Sequence, residues 1–333
     1  MSFKRFDAED LVVSAEAVSA PLWTNEVITL TQFYTSSTQV GVSSTGDYYM
    51  QVYQIDPTGS NSEVQFAIAY CDKEGSGSNP YNTAVIGNSP SRTNYGQYRS
   101  LVLGDEDSDF LFGDHAAEYF YAINISRNRY KESLLPGTLT LKVGNLVLTD
   151  DSNMVTTVSY NDAGRVYQLI SGSLGTAYSG TGYTVASGSY GMFLPDVGLI
   201  LLNGKALDEP SPEGISLSTD RSATVTNNYD NSQLLYNEIV NGASFRLNSQ
   251  ETVSSQFVFV RARNGEFNYS VNPSNITGSG DLRHSIMVNS PETYVTTVGM
   301  YNDNNDLLAV AKLSSPLKKN FTKEALIRIK LDF

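Results

Sequence analysis

The sequence predicts a mainly β protein: two or three β-sandwich or barrel-like modules with long loops and little helix. Three observations carry this. Short runs of alternating apolar and polar residues recur along the chain, separated by Gly, Asn, Asp and Pro. The polar share is largely uncharged, with 40 Ser, 26 Thr and 27 Asn beside 21 Tyr and 14 Phe. That composition suits strands, turns and neutral contact surfaces, and suits long helices poorly. The last residues alternate strictly, with Ile327, Ile329, Leu331 and Phe333 on one side and Arg328, Lys330 and Asp332 on the other. Period two marks a half-buried strand.

Taken in order, Tyr48–Ile55 and Val64–Cys71 read as two strands around a DPTGSNSE hairpin loop. Leu139, Leu141 and Val143 alternate with Thr140 and Lys142, Gly144-Asn145 supplies a two-residue turn, and Leu146–Leu148 returns. Val155–Tyr160 and Val166–Ile170 form another hairpin around Asn161–Gly164, and Phe257–Ala262 is a strand rich in aromatic and β-branched residues. The best helix is Ser232–Asn241: Asn231 or Ser232 can cap it, Leu235 and Ile239 are four apart, and Gly242 follows as a stop. Ala8–Ala17 fits a short helix or a strand equally. Glu74–Arg92 and Gly172–Gly191 read as long exposed loops, and Asp208–Gly214 as an acidic connector broken by Pro.

At 333 residues the chain is long enough for about two domains of ordinary size. We expect an N-terminal arm over 1–47, β modules over 48–120 and 121–207, and a C-terminal β module over 208–333. The last echoes part of the one before it. Val155–Val158 with Tyr160-Asn-Asp162 resembles Val295–Val298 with Tyr301-Asn-Asp303, and Tyr130, Ser133 and Pro136 match Phe267, Ser270 and Pro273 in spacing. Recurrent Asn-Asp turn chemistry accounts for the echo as well as duplication does.

Charge and chemistry demote several classes. The formal net charge of −13 argues against a cationic grip on nucleic acid or anionic lipid. One Cys, Cys71, forms no intramolecular disulfide, and with two His (His115, His284) leaves little for a zinc or iron site. No apolar run approaches a membrane span, and Met1–Asp10 lacks the apolar core of a signal peptide. Asp105-Glu-Asp107-Ser-Asp109 begins like a calcium loop, but the sixth and twelfth positions are Phe110 and Ala116 where Gly and Glu are needed. No nucleophile elbow, phosphate-binding loop or dinucleotide fingerprint occurs. Cys71 ends an apolar strand, where a buried, inert thiol is expected. No cofactor and no catalytic residue are expected. From Lys312 onward six bases stand against Glu324 and Asp332, an end of +4 on an acidic chain. Opposite-sign patches favour neighbour contacts in an assembly.

Several stretches then resemble a known family. Val258–Pro273 (VFVRARNGEFNYSVNP), Tyr294–Asp303 (YVTTVGMYND), Leu307–Ser314 (LLAVAKLS) and Glu324–Phe333 (EALIRIKLDF) resemble virion structural proteins of contractile-tailed, myovirus-type phages, the marine and cyanobacterial ones especially. Tyr95–Gly104 (YGQYRSLVLG) and Tyr190–Gly198 (YGMFLPDVG) fit the same pattern. The resemblance spans about residues 48–333 and brings no catalytic residues. It implies a particle component, baseplate or tail-associated, located in the virion after synthesis in the host bacterial cytoplasm. Its partners would be other virion proteins and copies of itself. A neck, collar or capsid-associated position, a receptor- or glycan-binding tail-tip module, and a cell-wall or polysaccharide hydrolase stand as alternatives. The residues expected to carry contacts are Ile327, Ile329, Leu331, Phe333, Lys318, Lys319, Tyr98 and Arg99. The C-terminal strand should be tied into a sheet or a partner.

Overall fold

A computed structural model describes residues 4–35, 48–78, 89–178, 184–185, 188–222 and 230–332. The protein is mainly β. It divides into two compact units, Val18–Glu251 and a smaller one made of Met1–Ala17 with Thr252–Phe333.

The larger unit is built on one curled antiparallel sheet of 13 strands. Its centre runs Leu146–Asp150, Gly164–Ser173, Gly191–Leu194, Leu199–Asn203, Tyr119–Ile125, Val64–Asp72 and Met50–Tyr53. The central strands are almost continuously apolar because both faces are covered. In Tyr119–Ile125, Tyr121, Ile123 and Ile125 enter one core while Phe120 and Ala122 enter the other. Ile200 and Leu202 split from Leu199 and Leu201 in the same way. Helix Asp230–Gly242 inserts Leu235 and Ile239 on the first side. Helix Pro90–Leu103 inserts Tyr95 and Val102 on the second.

Most expected hairpins form. Met50 pairs with Ile68, and Val143 pairs with Leu146 across Gly144-Asn145, where Gly144 takes a φ of +55°. The third hairpin is shorter than expected. Its first strand is Ser159–Asn161, because the N–H groups of Met154 and Val155 are held in a turn by the Asp151 carbonyl. The expected helix forms over Asp230–Gly242, but Asn231 serves another purpose. Its side chain accepts from Asp220 N–H and donates to the Gly77 and Asp220 carbonyls.

Four expectations need correcting. Gly172–Gly191 is not one exposed loop: Gly172 and Ser173 end a strand, Ser189 and Tyr190 are buried, and Gly191 begins another strand, while 179–183 and 186–187 lie outside the described residues. Residues 89–92 are not an exposed loop: Ser89 and Ser91 are buried, and Pro90 opens a helix that ends at Gly104 with φ +63°. The division of the chain also follows other lines than boundaries at 48, 121 and 208. Strands from 48–120, 121–207 and Phe245–Arg246 all belong to the one large sheet, since Val64–Asp72 pairs with Tyr119–Ile125 and Thr140–Val143 pairs with Phe245–Arg246. Finally, the two echoing segments adopt different local structures. Tyr160-Asn-Asp leads into a tight turn with Asn161 paired to Gly164, whereas Tyr301 pairs with Leu307 around a longer loop. Val155–Val158 lies outside any strand, and Val295–Val298 lies within one.

The smaller unit contains a sheet with Asn248–Ala262 at its centre, flanked by Leu11–Pro21 and Ala325–Asp332. Ala8–Asp10 makes one short turn before the first of these strands, so the ambiguous N-terminal stretch is mostly strand. A long hairpin, Thr293–Tyr301 with Leu307–Lys319, forms a second sheet. Their shared core is small: Val258, Met300 and Ile329, with Val260, Val298, Ala309, Ala311, Ile327 and Leu331 partly buried around them.

Candidate interaction surface

The C-terminal strand pairs antiparallel with Phe257–Ala262 and beyond, from Ser255 opposite Asp332 to Ala262 opposite Ala325. Its period-two pattern is realised residue by residue. Ala325 and Ile329 are buried and Ile327 and Leu331 half-buried, while Leu326, Arg328, Lys330 and Asp332 are exposed. The terminal strand is thus tied into a sheet.

That placement corrects the expected contact residues. Ile327, Ile329 and Leu331 face the unit's own core, beside Val258 and Met300, so their face is occupied within the chain. Phe333 lies outside the described residues. Lys318 is exposed and ion-paired with Glu292 at 2.7 Å. Lys319 is fully buried. Its Nζ donates to the Asn264 carbonyl (3.1 Å), Asn268 Oδ1 (2.7 Å) and the Asn320 carbonyl (3.1 Å), which uses all three ammonium protons. Burial lowers its pKa below the ordinary lysine value. Lys319 pins the 263–268 turn to the hairpin and offers nothing to a partner. Tyr98 and Arg99 sit on helix Pro90–Leu103 in the larger unit. Tyr98 packs edge-on against Phe120 and burial raises its phenol pKa, while the Arg99 guanidinium lies 5.8 Å from the Tyr95 ring centroid. Both are half-buried helix-to-sheet contacts, not an open patch.

What the smaller unit does expose is unusual for its size. Among the described residues it buries five apolar side chains: Val258, Ala262, Met300, Ala325 and Ile329. It leaves fifteen large apolar side chains exposed, against twelve in the larger unit, which has more than twice the residues. Val13 and Leu308 are each 68% exposed, Leu326 60% and Val310 57%. Every residue of Leu11–Ala20 is exposed, on both faces of the strand. Apolar exposure at successive positions, as over Leu11–Val13 and Leu307–Leu308, reads as contact surface rather than a solvent face. The signal was present in the sequence: LVVSAEAVSA is apolar at both odd and even positions.

The polar cluster around Asp72 and Arg221 in the larger unit is internally satisfied. Asp72 is buried and accepts through Oδ1 from the N–H groups of Glu74 (2.9 Å), Gly75 (2.9 Å) and Ser76 (3.1 Å). Its Oδ2 takes Tyr70 Oη at 3.2 Å and Arg221 Nε at 2.8 Å. Arg221 also reaches Glu118 at 2.7 Å, holding that carboxyl below its ordinary pKa, and lies 4.8 Å from the Tyr119 ring centroid. Tyr119 in turn donates to Asp208, which accepts from Thr219 N–H and Oγ1. Burial, then the neighbouring Asp72, raises the Tyr70 phenol. The network clamps the 208–222 connector onto the sheet.

Cys71 is free and buried, and burial raises its thiol pKa well above the ordinary value. His115 and His284 are both exposed. In the acidic loop, Asp105 accepts from Asp107 N–H and Ser108 Oγ, and Asp109 pairs with Lys73. A cavity of about 270 Å³ is lined by Lys142, Asn145, Ser211, Glu238 and Asn241, among others, with no aromatic ring to stack a sugar. No helix among the described residues is long and apolar enough to cross a membrane. No protein-family model, curated protein or solved structure matches this chain.

Proposed function

We propose that the chain is a structural, non-catalytic component of a contractile-tailed phage particle, baseplate or tail-associated, that works through subunit contacts. The observation that carries the assembly part is the smaller unit's inverted ledger: among the described residues, three large apolar side chains (Val258, Met300, Ile329) are buried against fifteen exposed. A unit of about a hundred residues ordinarily covers most of its apolar surface itself. A neighbour that packs on these strands completes a core the unit leaves open. The Val258–Pro273, Tyr294–Asp303 and Glu324–Phe333 stretches, on which the phage resemblance rests, lie in this same unit.

The test is made on purified particles from the phage that encodes the chain. Mass spectrometry should detect it, and gold-labelled antibody should mark the baseplate or tail. Deleting Ile327–Phe333 should impair its incorporation, and so should Leu326→Ser, which leaves the inner face of the strand intact. Absence from particles, or normal particles from both variants, overturns the proposal. Specific glycan binding by the purified chain together with blocked adsorption would favour the tail-tip alternative.

A further inference from the structure

The sheet of the smaller unit has two unpaired edges among the described residues. Asn248–Ala262 is its central strand, and Ala325–Asp332 runs antiparallel to it. Leu11–Pro21 also runs against the central strand, since Ala20 lies by Ser249 while Lys4 reaches the Arg261 carbonyl. The two edge strands therefore point the same way, with their free edges facing opposite directions. An exposed edge presents a row of unpaired N–H and C=O groups, a template for another strand.

The edges differ in charge. On the strands themselves, Glu16 is the exposed charge of the first, and Arg328 and Lys330 outnumber Asp332 on the last. We infer that the Leu11–Ala17 edge of one copy of this chain pairs in parallel with the Ala325–Leu331 edge of a second copy, joining copies head to tail. In the register that sets Leu11 beside Ala325, Glu16 falls beside Lys330. Val12 then meets Leu326, which is exposed at 60% in the single chain. The Lys330–Asp332 pair within one chain (3.1 Å) is exposed on both sides and yields readily to a partner. The contact joins two different surfaces, so it leaves a free edge at each end and repeats until a ring closes. Like-to-like antiparallel pairing of the last strand about Arg328 would set two cations side by side.

The inference deepens the assembly reading by naming its partner, and the experiment needs no particle. In light scattering, the purified full chain should form a discrete oligomer at micromolar concentration. Glu16→Lys or Lys330→Glu alone should weaken association two- to fivefold, and the double exchange should restore it. The variant carrying both Glu16→Cys and Lys330→Cys should cross-link into oligomers on oxidation, whereas each single variant should not; buried Cys71 does not compete. A monomer in every preparation overturns the inference, as does cross-linking by Glu16→Cys alone or by Lys330→Cys alone. A chain that forms the oligomer yet is missing from particles would sink the particle reading and leave this contact standing. A chain found in particles but monomeric and uncross-linked in solution would do the reverse.

Discussion

Arg221 donates through Nε to Oδ2 of the fully buried Asp72 at 2.8 Å, across 149 residues of chain. This pair fastens the connector after Asp208 to the strand that ends at Asp72.

Breaking it should cost more than it would on a surface. Arg221→Met leaves a buried carboxylate with its backbone donors but without its counter-charge. We expect a loss of about 3 kcal/mol, read as a lower urea midpoint for the larger unit. The double variant Asp72→Asn with Arg221→Met should recover part of that loss. Additive losses would show that the two side chains do not act as a pair.

The last strand offers a test of its alternation. Ile329 is buried opposite Val258, and Leu326 points outward. Ile329→Ala should destabilise the smaller unit by about 2 kcal/mol. Leu326→Ala should change the single chain by less than about 0.5 kcal/mol and should weaken association instead. Equal losses of stability in dilute solution would contradict the alternating burial.

Adjacent lysines should behave differently. Lys319→Met strands three oxygen acceptors that Nζ now satisfies, and about 2–3 kcal/mol should be lost. Lys318→Met removes an exposed ion pair with Glu292 and should leave the thermal midpoint unchanged. A reversal of the two effects would show that Lys319 is not enclosed.

Asp150 supplies a pH dependence. It is buried, accepts Gly137 N–H at 2.7 Å, and burial raises its pKa. The folded state therefore keeps this proton to higher pH than the unfolded chain does. Below about pH 4 both states are protonated and nothing is lost. As pH rises through the raised value, the folded state must ionise a buried group, and stability falls before levelling off. Asp150→Asn should flatten this fall above about pH 4 and stabilise the protein at neutrality, leaving the contribution of Asp151, which burial also raises. A urea midpoint with the same pH slope in both proteins would refute it.

The hairpins were readable because their information is local. Gly144-Asn145 between alternating runs specifies a turn whatever surrounds it, and the Ile327–Leu331 alternation specifies which face goes inward. Helix Pro90–Leu103 was missed for the opposite reason. Gly96 and seven polar residues dilute its pattern, and only Tyr95, Tyr98 and Val102, spaced three and four apart, mark a packing stripe. That stripe acquires meaning when Phe110 and Phe120 are brought beneath it, with Tyr95 within 5.6 Å of both ring centroids.

The candidate surface divides along the same line. By itself the sequence determined the β class, most hairpins, the helix around Leu235 and Ile239, the buried thiol and the alternation of the last strand. All of these follow from period, turn chemistry and local composition. Tertiary structure alone decided that residues 48–207 share one sheet and that Ile327, Ile329 and Leu331 are covered by their own chain. It also placed Lys319 inside and left Val13, Leu308 and Leu326 outside. Burial is a property of which strands meet, and pairings such as Val258 with Ile329 join residues distant in the chain. No local pattern encodes that choice.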